Sequence, residues 1–425
     1  MTNFLRLLFV TLNGRYNYAV LRNYELLPES FFSRDIDILI SARQFKAFLT
    51  DFFSLVADCG IKIISVKKQH DITGVLLSDL ERVIQIDLFR NVDILGIQFI
   101  DSEVLLERRT FNGKVYHLSD VDSLYVKMTY CFCFNEKLPM RYAKIYDALS
   151  RDQQHVLSER LRLIGCAAVS VDFGCPLLKR FIKNLFYQPA KTVISYSLSL
   201  YYRIHNRIGT PEIIVSFTGP DGCGKTTVIS LLAEKLSVNP PVLLHFRPSL
   251  LPNLGEMGVK TGIKKDVDRN YSSPHRGEKH GKLNSLIRLC YYTLDYVFGY
   301  MVKVLPLRQR KRIIFFDRYY SDIVVDHERS GIFLGHKFLA WWRHFIPSCQ
   351  YNFFFKVDPD IILARKQELT KEAIERIYNR MEYLASVDQN CYWINNDGTP
   401  EDAVRQMLTV IAERQHQKYA KKMCK

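Results

Sequence analysis

One short segment constrains this chain more than any other. Residues 219–226 read Gly-Pro-Asp-Gly-Cys-Gly-Lys-Thr and match the phosphate-binding pattern G-x-x-x-x-G-K-[ST]. An apolar run over 212–217 predicts a buried strand before the loop, and the pattern over 226–236 predicts a helix after it. Strand, glycine-rich loop and helix together predict a nucleotide-binding site. The predicted ATP-binding residues are Gly219, Pro220, Asp221, Gly222, Cys223, Gly224, Lys225, Thr226 and Thr227.

Each residue type in this loop suits contact with a nucleotide. Glycines let backbone N–H groups turn inward around phosphates, and the following helix directs its positive N-terminus at the same anion. The Lys225 ammonium can reach the β- and γ-phosphates, and the Thr226 hydroxyl can bind Mg²⁺. ATP and Mg²⁺ are therefore the expected cofactors.

Two further apolar segments, 312–317 and 351–357, predict buried strands. Strands that alternate with helices favour a parallel sheet. The first of these strands ends in Asp317, which is expected beside the Mg²⁺ site, and Arg318 follows at once to contact the transferred phosphate. The alternative is an ordinary acidic and basic pair on the surface after a core strand.

These motifs together resemble the thymidylate kinase group over about 211–415. The segments that carry the resemblance are the loop with its acidic Asp221, the Asp-Arg-Tyr-Tyr-Ser run at 317–321, the run at 357–366 and the run at 394–402. The resemblance implies a P-loop NTPase fold and phosphotransfer, with Lys225, Asp317 and Arg318 as catalytic residues. It also implies that a lid supplies positive charge. The candidates for that charge are Arg365 first, then Lys366, Lys371 and Arg376, each with the alternative of a solvated helix face.

The chain departs from that group where the acceptor monophosphate would bind. Tyr296 stands where the resemblance expects an arginine, and 245–249 (His-Phe-Arg-Pro-Ser) replaces a Glu-Pro-Gly-Gly segment. An acceptor other than dTMP is therefore expected, and the loop 253–282, with Arg276, Lys279 and His280, is expected to shape its site. The predicted acceptor-binding residues are Asp221, Arg247, Tyr296 and Arg318, with Arg329 as a further source of charge.

The N-terminal half carries a second carboxylate pattern. Segments 34–40 and 83–89 predict strands with a helix over 45–56 between them, and Asp35 and Asp37 share one strand face. With Asp87 they could hold two Mg²⁺ ions for nucleotidyl transfer. With 18–23 upstream, this resembles the nucleotidyltransferase superfamily, although Arg22-Asn23 stands at the family's Gly-Ser. The alternatives are ordinary acidic residues, or a decayed domain kept for binding.

The expected organisation is a nucleotidyltransferase-like α+β domain (1–175), a helical connector (176–210) and an α/β P-loop domain (211–425). The stretch 119–163 predicts helices, and 290–307 predicts a buried helix too short to span a membrane. The connector mixes aromatic with basic residues. It is expected either to pack on a domain or to lie on a membrane surface as an amphipathic segment.

Composition bounds the partners and compartment. The net charge of +15 favours anionic partners. Ten scattered cysteines without a CxxC pair, and an N-terminus without a signal peptide, favour reduced thiols in the cytoplasm. We expect an ATP-dependent phosphotransferase whose partners are a nucleotide and a phosphorylated small-molecule acceptor, not nucleic acid. Open alternatives are nucleotidyl transfer as the main activity, a nucleotide-gated protein on nucleic acid or membrane (with basic runs at 308–312 and 418–425), peripheral membrane contact, and a homodimer.

Overall fold

The structure is a computed structural model. It describes residues 1–30, 35–166, 176–208, 213–252, 281–309, 313–366 and 369–423. The chain divides into two compact units, the first formed by 1–206 with 412–425 and the second by 207–411. This division differs from the sequence-based domains because the last residues of the chain join the N-terminal unit.

The N-terminal unit contains a mixed sheet of seven described strands in the order β3-β4-β5-β2-β1-β7-β6. Its strands are β1 (Tyr18–Val20), β2 (Asp35–Ile40), β3 (Lys62–Lys68), β4 (Ile72–Ser78), β5 (Val83–Phe89), β6 (Thr110–Phe111) and β7 (Tyr116–His117). β2 and β5 are parallel neighbours with Asp37 opposite Asp87. The two strands predicted from alternation are present and lie side by side.

Alternation along β2 gives the sheet two different faces. Ile36, Ile38 and Ile40 are buried in one core with apolar side chains of α1 (Thr2–Arg15) and α2 (Phe45–Asp58). Each such isoleucine contributes roughly 1.5–3 kcal/mol through burial. Asp35 and Asp37 therefore face the other way, as the period of two requires.

Helices cover the other face around a second apolar core. They are α3 (Ser102–Glu107), α4 (Asp120–Phe134), α5 (Met140–Ala148), α6 (Arg151–Leu163), α7 (Pro176–Tyr187) and α8 (Pro189–Ile208). α4 to α6 occupy the stretch predicted as helical. Local sequence explains where α4 and α6 begin, since their N-cap residues Ser119 and Ser150 each accept a hydrogen bond from a backbone N–H.

The C-terminal unit is built on a parallel sheet in the order β12-β11-β8-β10-β9. Its strands are β8 (Ile214–Thr218), β9 (Val242–His245), β10 (Ile314–Asp317), β11 (Tyr351–Lys356) and β12 (Cys391–Asn395). The chain leaves β8 towards β10 and β9 on one side and returns to β11 and β12 on the other. The carboxyl end of β8 is therefore a topological switch point, where open α/β sheets bind ligands.

Helices flank this sheet. They are α9 (Lys225–Lys235), α10 (Lys282–Gly299), α11 (Leu305–Gln309), α12 (Tyr320–Val325), α13 (His336–Trp342), α14 (Pro359–Arg365), α15 (Lys371–Val387) and α16 (Pro400–Met423), with a π-helical turn at Tyr300–Val304. The stretch 290–307 was expected to be a buried helix, and this is only half right. Tyr296 and Val304 are buried, whereas Leu294, Phe298 and Met301 are exposed.

The described residues include no helix with both the length and the hydropathy needed to cross a bilayer.

Candidate active site

The predicted phosphate-binding loop joins β8 to α9 at the switch point. Gly222 and Gly224 have φ values of +88° and +84°, which favour glycine. A Cβ atom on Gly224 would lie 2.6 Å from Nδ2 of Asn396, so a side chain there would also collide. Both glycines are thus required by the backbone path that turns N–H groups towards one centre.

Lys225 lies inside this loop. Its buried ammonium donates hydrogen bonds to the carbonyl oxygens of Gly219 (2.7 Å) and Pro220 (2.8 Å). Thr226 and Thr227 follow Lys225 in the first turn of α9, and both residues are exposed. The lysine is therefore held against the loop that it would serve, and a hydroxyl is available where the helix directs its positive end.

Asp317 ends β10 beside β9, with His245 opposite it in register. Nδ1 of His245 lies 3.3 Å from Oδ2 of Asp317. Burial opposes ionisation, but the histidine hydrogen bond and the charges of Lys225 and Arg318 hold the pKa of Asp317 below its ordinary value. The carboxylate is therefore ionised and suited to a cation. Sequence reasoning missed the histidine because β9 was not predicted.

Arg318 joins two carboxylates in the same region. Its guanidinium donates to both oxygens of Asp322 (3.1 and 2.9 Å) and to Asp221 in the loop. Burial disfavours its charge, but Asp322 and Asp221 raise the pKa of Arg318 well above its ordinary value. The φ of Arg318, +71°, is unusual for a residue with a side chain. Its backbone N–H donates a hydrogen bond to the carbonyl oxygen of Phe217.

Asp221 receives a second guanidinium from Arg329. Burial works against its ionisation, yet Arg318, Lys225 and Arg329 lower the pKa of Asp221 to about 2. The structure thus brings Asp221 together with Arg318, both predicted as acceptor-binding, and with Arg329, the predicted further source of charge. Three cations, those of Arg318, Lys225 and Arg329, act on this one loop carboxylate.

Two later segments of the chain lie next to the loop. Nδ2 of Asn396, which follows β12, donates to the carbonyl oxygen of Cys223 at 2.8 Å. Arg365 ends α14 with an exposed side chain, and one of its terminal nitrogens lies 3.8 Å from where a Gly224 Cβ would be. The predicted lid arginine is therefore near the loop, whereas the role of Asn396 was not predicted.

No protein-family model matches the sequence. Among solved structures, a thymidylate kinase from Ehrlichia chaffeensis is similar over 48% of this chain and 99% of that chain, with 18% identity and a TM-score of 0.33. A likeness of this strength carries no argument about activity. The parallel sheet, its flanking helices and the loop at its switch point are themselves consistent with a P-loop kinase-like fold.

Two other predicted acceptor-binding residues are buried and have partners within the protein. Tyr296 has no exposed surface and donates its hydroxyl to the carbonyl oxygen of Phe246 at 3.1 Å. It is a core residue, which corrects its predicted place among the acceptor-binding residues. Arg247 is nine-tenths buried, pairs with Asp295 at 3.0 Å and stacks on Tyr292. Its role is to hold the 245–251 segment, since Asp295 also accepts N–H groups of that segment.

Several other predictions fall outside the described residues. They concern the 253–280 part of the loop expected to shape the acceptor site, with Arg276, Lys279 and His280, and parts of the basic runs at 308–312 and 418–425.

In the N-terminal unit, Asp35, Asp37 and Asp87 do converge on one face, but an arginine is among them. The guanidinium of Arg22 donates to Asp35 at 2.6 Å and to Asp37. Gln85 occupies both oxygens of Asp87, at 2.8 and 3.0 Å. Burial and mutual repulsion raise the pKa of Asp37 to about 6, even with Arg22 beside it.

This arrangement corrects the predicted metal site of Asp35, Asp37 and Asp87. Among the described residues, no group of three or more acidic, histidine or cysteine side chains is placed to hold a metal ion. The physical reason is local, because Arg22 stands where the nucleotidyltransferase resemblance expects Gly-Ser, and its charge takes the place of a cation.

A cavity of about 480 Å³ lies elsewhere in the N-terminal unit, between the 93–101 loop and helices α7 and α8. Asp93 lines it, and its Oδ1 atom receives no hydrogen bond from the part of the chain that the structure describes. Burial and repulsion by Asp71 raise the pKa of Asp93 to about 7. This carboxyl is therefore partly neutral near physiological pH.

Proposed function

We propose that the C-terminal unit is an ATP-dependent phosphotransferase of the thymidylate kinase-like group, acting on a phosphorylated small molecule other than dTMP. One observation carries the proposal. The glycine-rich loop lies at the switch point of a parallel sheet, with an ionised carboxylate at the end of the adjacent strand. Such a pairing of loop and carboxylate serves phosphoryl transfer in P-loop enzymes.

The residues present fit a nucleotide with Mg²⁺. Backbone N–H groups of the loop would contact its phosphates, and Lys225 would exchange its loop carbonyls for phosphate oxygens. Thr226 and Asp317 would hold the metal ion. Bound Mg²⁺ neutralises charge that develops on the phosphates. His245 would orient Asp317 through their hydrogen bond.

The acceptor side of the proposal rests on the cluster around Asp221. Arg318 and Arg329 both donate to this carboxylate. Arginine binds phosphate through two parallel N–H bonds, so either side chain could turn a free edge towards an acceptor phosphate. Asp221 would hold the two cations close together before the acceptor arrives, which lowers the cost of bringing reactants into line.

The test is ADP release from ATP and Mg²⁺ with a panel of phosphorylated metabolites. We expect one class of acceptor to stimulate release by the wild-type protein. Lys225→Ala should abolish it, because phosphate neutralisation contributes several kcal/mol to the transition state. Lys235→Ala is the matched control, since this exposed lysine ends the same helix. Undiminished turnover by a folded Lys225→Ala variant would refute the assignment.

For the N-terminal unit we propose a nucleotidyltransferase-like domain that is retained for ligand binding and does not catalyse nucleotidyl transfer. The observation that favours this is the pairing of Arg22 with Asp35 and Asp37. Nucleotidyl transfer uses two cations between carboxylates, and here a fixed guanidinium lies between two of them. Nucleotidyl transfer as the main activity of the protein is therefore the weaker candidate.

A further inference from the structure

Helices α7 and α8 have apolar outer faces. The side chains of Leu178, Ile182, Phe186, Ile194, Tyr201 and Ile204 are all exposed, with Phe186 81% accessible. On α7, positions 178, 182 and 186 are four residues apart and share one side of the helix. A surface helix of a globular protein normally turns such a stripe towards the core.

The inner sides of the same helices carry both apolar and small polar residues, and Leu177 and Phe181 of α7 pack on the apolar core of the unit. Thr192 and Ser199 of α8 are buried, and Ser195 between them is half-buried. Small side chains are needed here because a Cβ on Gly96 would lie 2.7 Å from both the Ser195 carbonyl and the Ser199 Cβ. Arg180 adds hydrogen bonds to the carbonyl oxygens of Gln98 (3.1 Å) and Phe99 (3.3 Å). The pair is thus attached by apolar and polar contacts, and a second set of apolar residues remains on its outer side.

Charge selects the partner of this face. The sequence has no acidic residue between Asp172 and Glu212, but six basic ones. Lys179 and Lys183 are exposed and lie one helical turn apart beside the apolar stripe of α7. Lysines at the edge of an apolar face keep their ammonium groups in the headgroup layer while their stems lie on apolar surface.

We propose that the α7–α8 pair binds the surface of an anionic lipid bilayer, with its apolar outer face in the headgroup region. A second copy of the chain fits less well, because it would bring two basic faces without acidic residues together. The pair lies on the membrane without crossing it, and the proposal does not depend on the activity of the C-terminal unit.

The test is co-sedimentation of the full-length protein with vesicles of phosphatidylcholine, with and without phosphatidylglycerol. We expect binding to the anionic vesicles that weakens as salt rises. Lys179→Ala with Lys183→Ala should lower the partition coefficient about 25-fold, at about fivefold for each lysine. Phe186→Ser with Ile194→Ser should lower it at least as much.

Met140→Ser is the control for the apolar substitutions, since Met140 is 77% exposed on another helix of the same unit. It should bind as the wild type does. The proposal would be overturned if the wild type did not sediment with anionic vesicles, or if the Phe186→Ser, Ile194→Ser variant bound them as well as the wild type does. It would also be overturned if the wild type were a dimer that bound no vesicles and the double substitution made it monomeric.

Discussion

Replacing Asp221 with alanine removes the carboxylate that two arginines share, and we expect it to destabilise the C-terminal unit by about 2–4 kcal/mol. The pKa of Asp221 falls from 3.8 to about 2 on folding. This shift corresponds to about 2.5 kcal/mol of stabilisation by the ionised form. Removing one partner of a buried ion pair costs about 3–5 kcal/mol, and the lower end applies because Arg318 keeps Asp322.

The pH dependence follows from the direction of the shift. A carboxyl group whose pKa is lowered by folding stabilises the protein above its unfolded pKa, and this contribution is lost as the pH falls through the folded pKa. The difference in the free energy of unfolding between wild type and Asp221→Ala should therefore have its full size at about pH 7 and be smaller at about pH 3.

The assay can report on one unit alone. The three tryptophans of the protein, Trp341, Trp342 and Trp393, all lie within 207–411. Urea unfolding followed by tryptophan fluorescence therefore reads the C-terminal unit. Asp360→Ala is the matched control, because Asp360 pairs with Lys371 on the exposed surface and should change little. A loss below about 0.5 kcal/mol for Asp221→Ala, or a difference that does not shrink in acid, would refute the reasoning.

Three further predictions concern the acceptor and the N-terminal unit. With dTMP as acceptor, steady-state kinetics should give kcat/KM below about 10⁴ M⁻¹s⁻¹; a higher value would identify dTMP as a true substrate. Arg22→Ser should leave Asp35 and Asp37 without their cation, so Mn²⁺ titration by calorimetry should detect a binding site in the variant beyond any that the wild type shows; a variant that binds no more Mn²⁺ than the wild type would count against the role given to Arg22. Asp93→Asn should stabilise the N-terminal unit at about pH 8 by at most roughly 4 kcal/mol and lose this advantage towards pH 4, because a raised carboxyl pKa makes the ionised form unfavourable in the folded state. Calorimetric unfolding of the wild type and the variant across this pH range tests the prediction. A variant no more stable than the wild type at pH 8 would contradict it.

The sequence predicted the features that depend on local pattern. The loop at 219–226 was recognisable because its glycines, lysine and threonine have fixed spacing, and the shared face of Asp35 and Asp37 follows from the period of a strand. Placing them next to Asp87 required only that two predicted strands be neighbours, which they are.

Contacts between distant segments were not predictable in this way. The pairing of His245 with Asp317 depends on β9, a strand of only four residues, which is too short for its sequence to reveal. Asn396 reaches Cys223 across more than a hundred residues of chain. Tyr296 lies on α10, whose exposed face also carries apolar residues such as Leu294 and Phe298, so periodicity could not tell its buried face from its exposed one. In each case the partner is chosen by the fold and not by neighbours in the sequence.

The division of the chain has a consequence for its synthesis. Residues 412–425 belong to the N-terminal unit, where Nδ1 of His416 accepts the backbone N–H of Ile63 and Tyr419 packs against the core beside α1 and α2. A ribosome makes this segment after the whole C-terminal unit. The N-terminal unit therefore cannot complete its packing as it emerges, unlike most N-terminal domains. Its final stability depends on the last turns of α16, which are made more than two hundred residues after the rest of the unit.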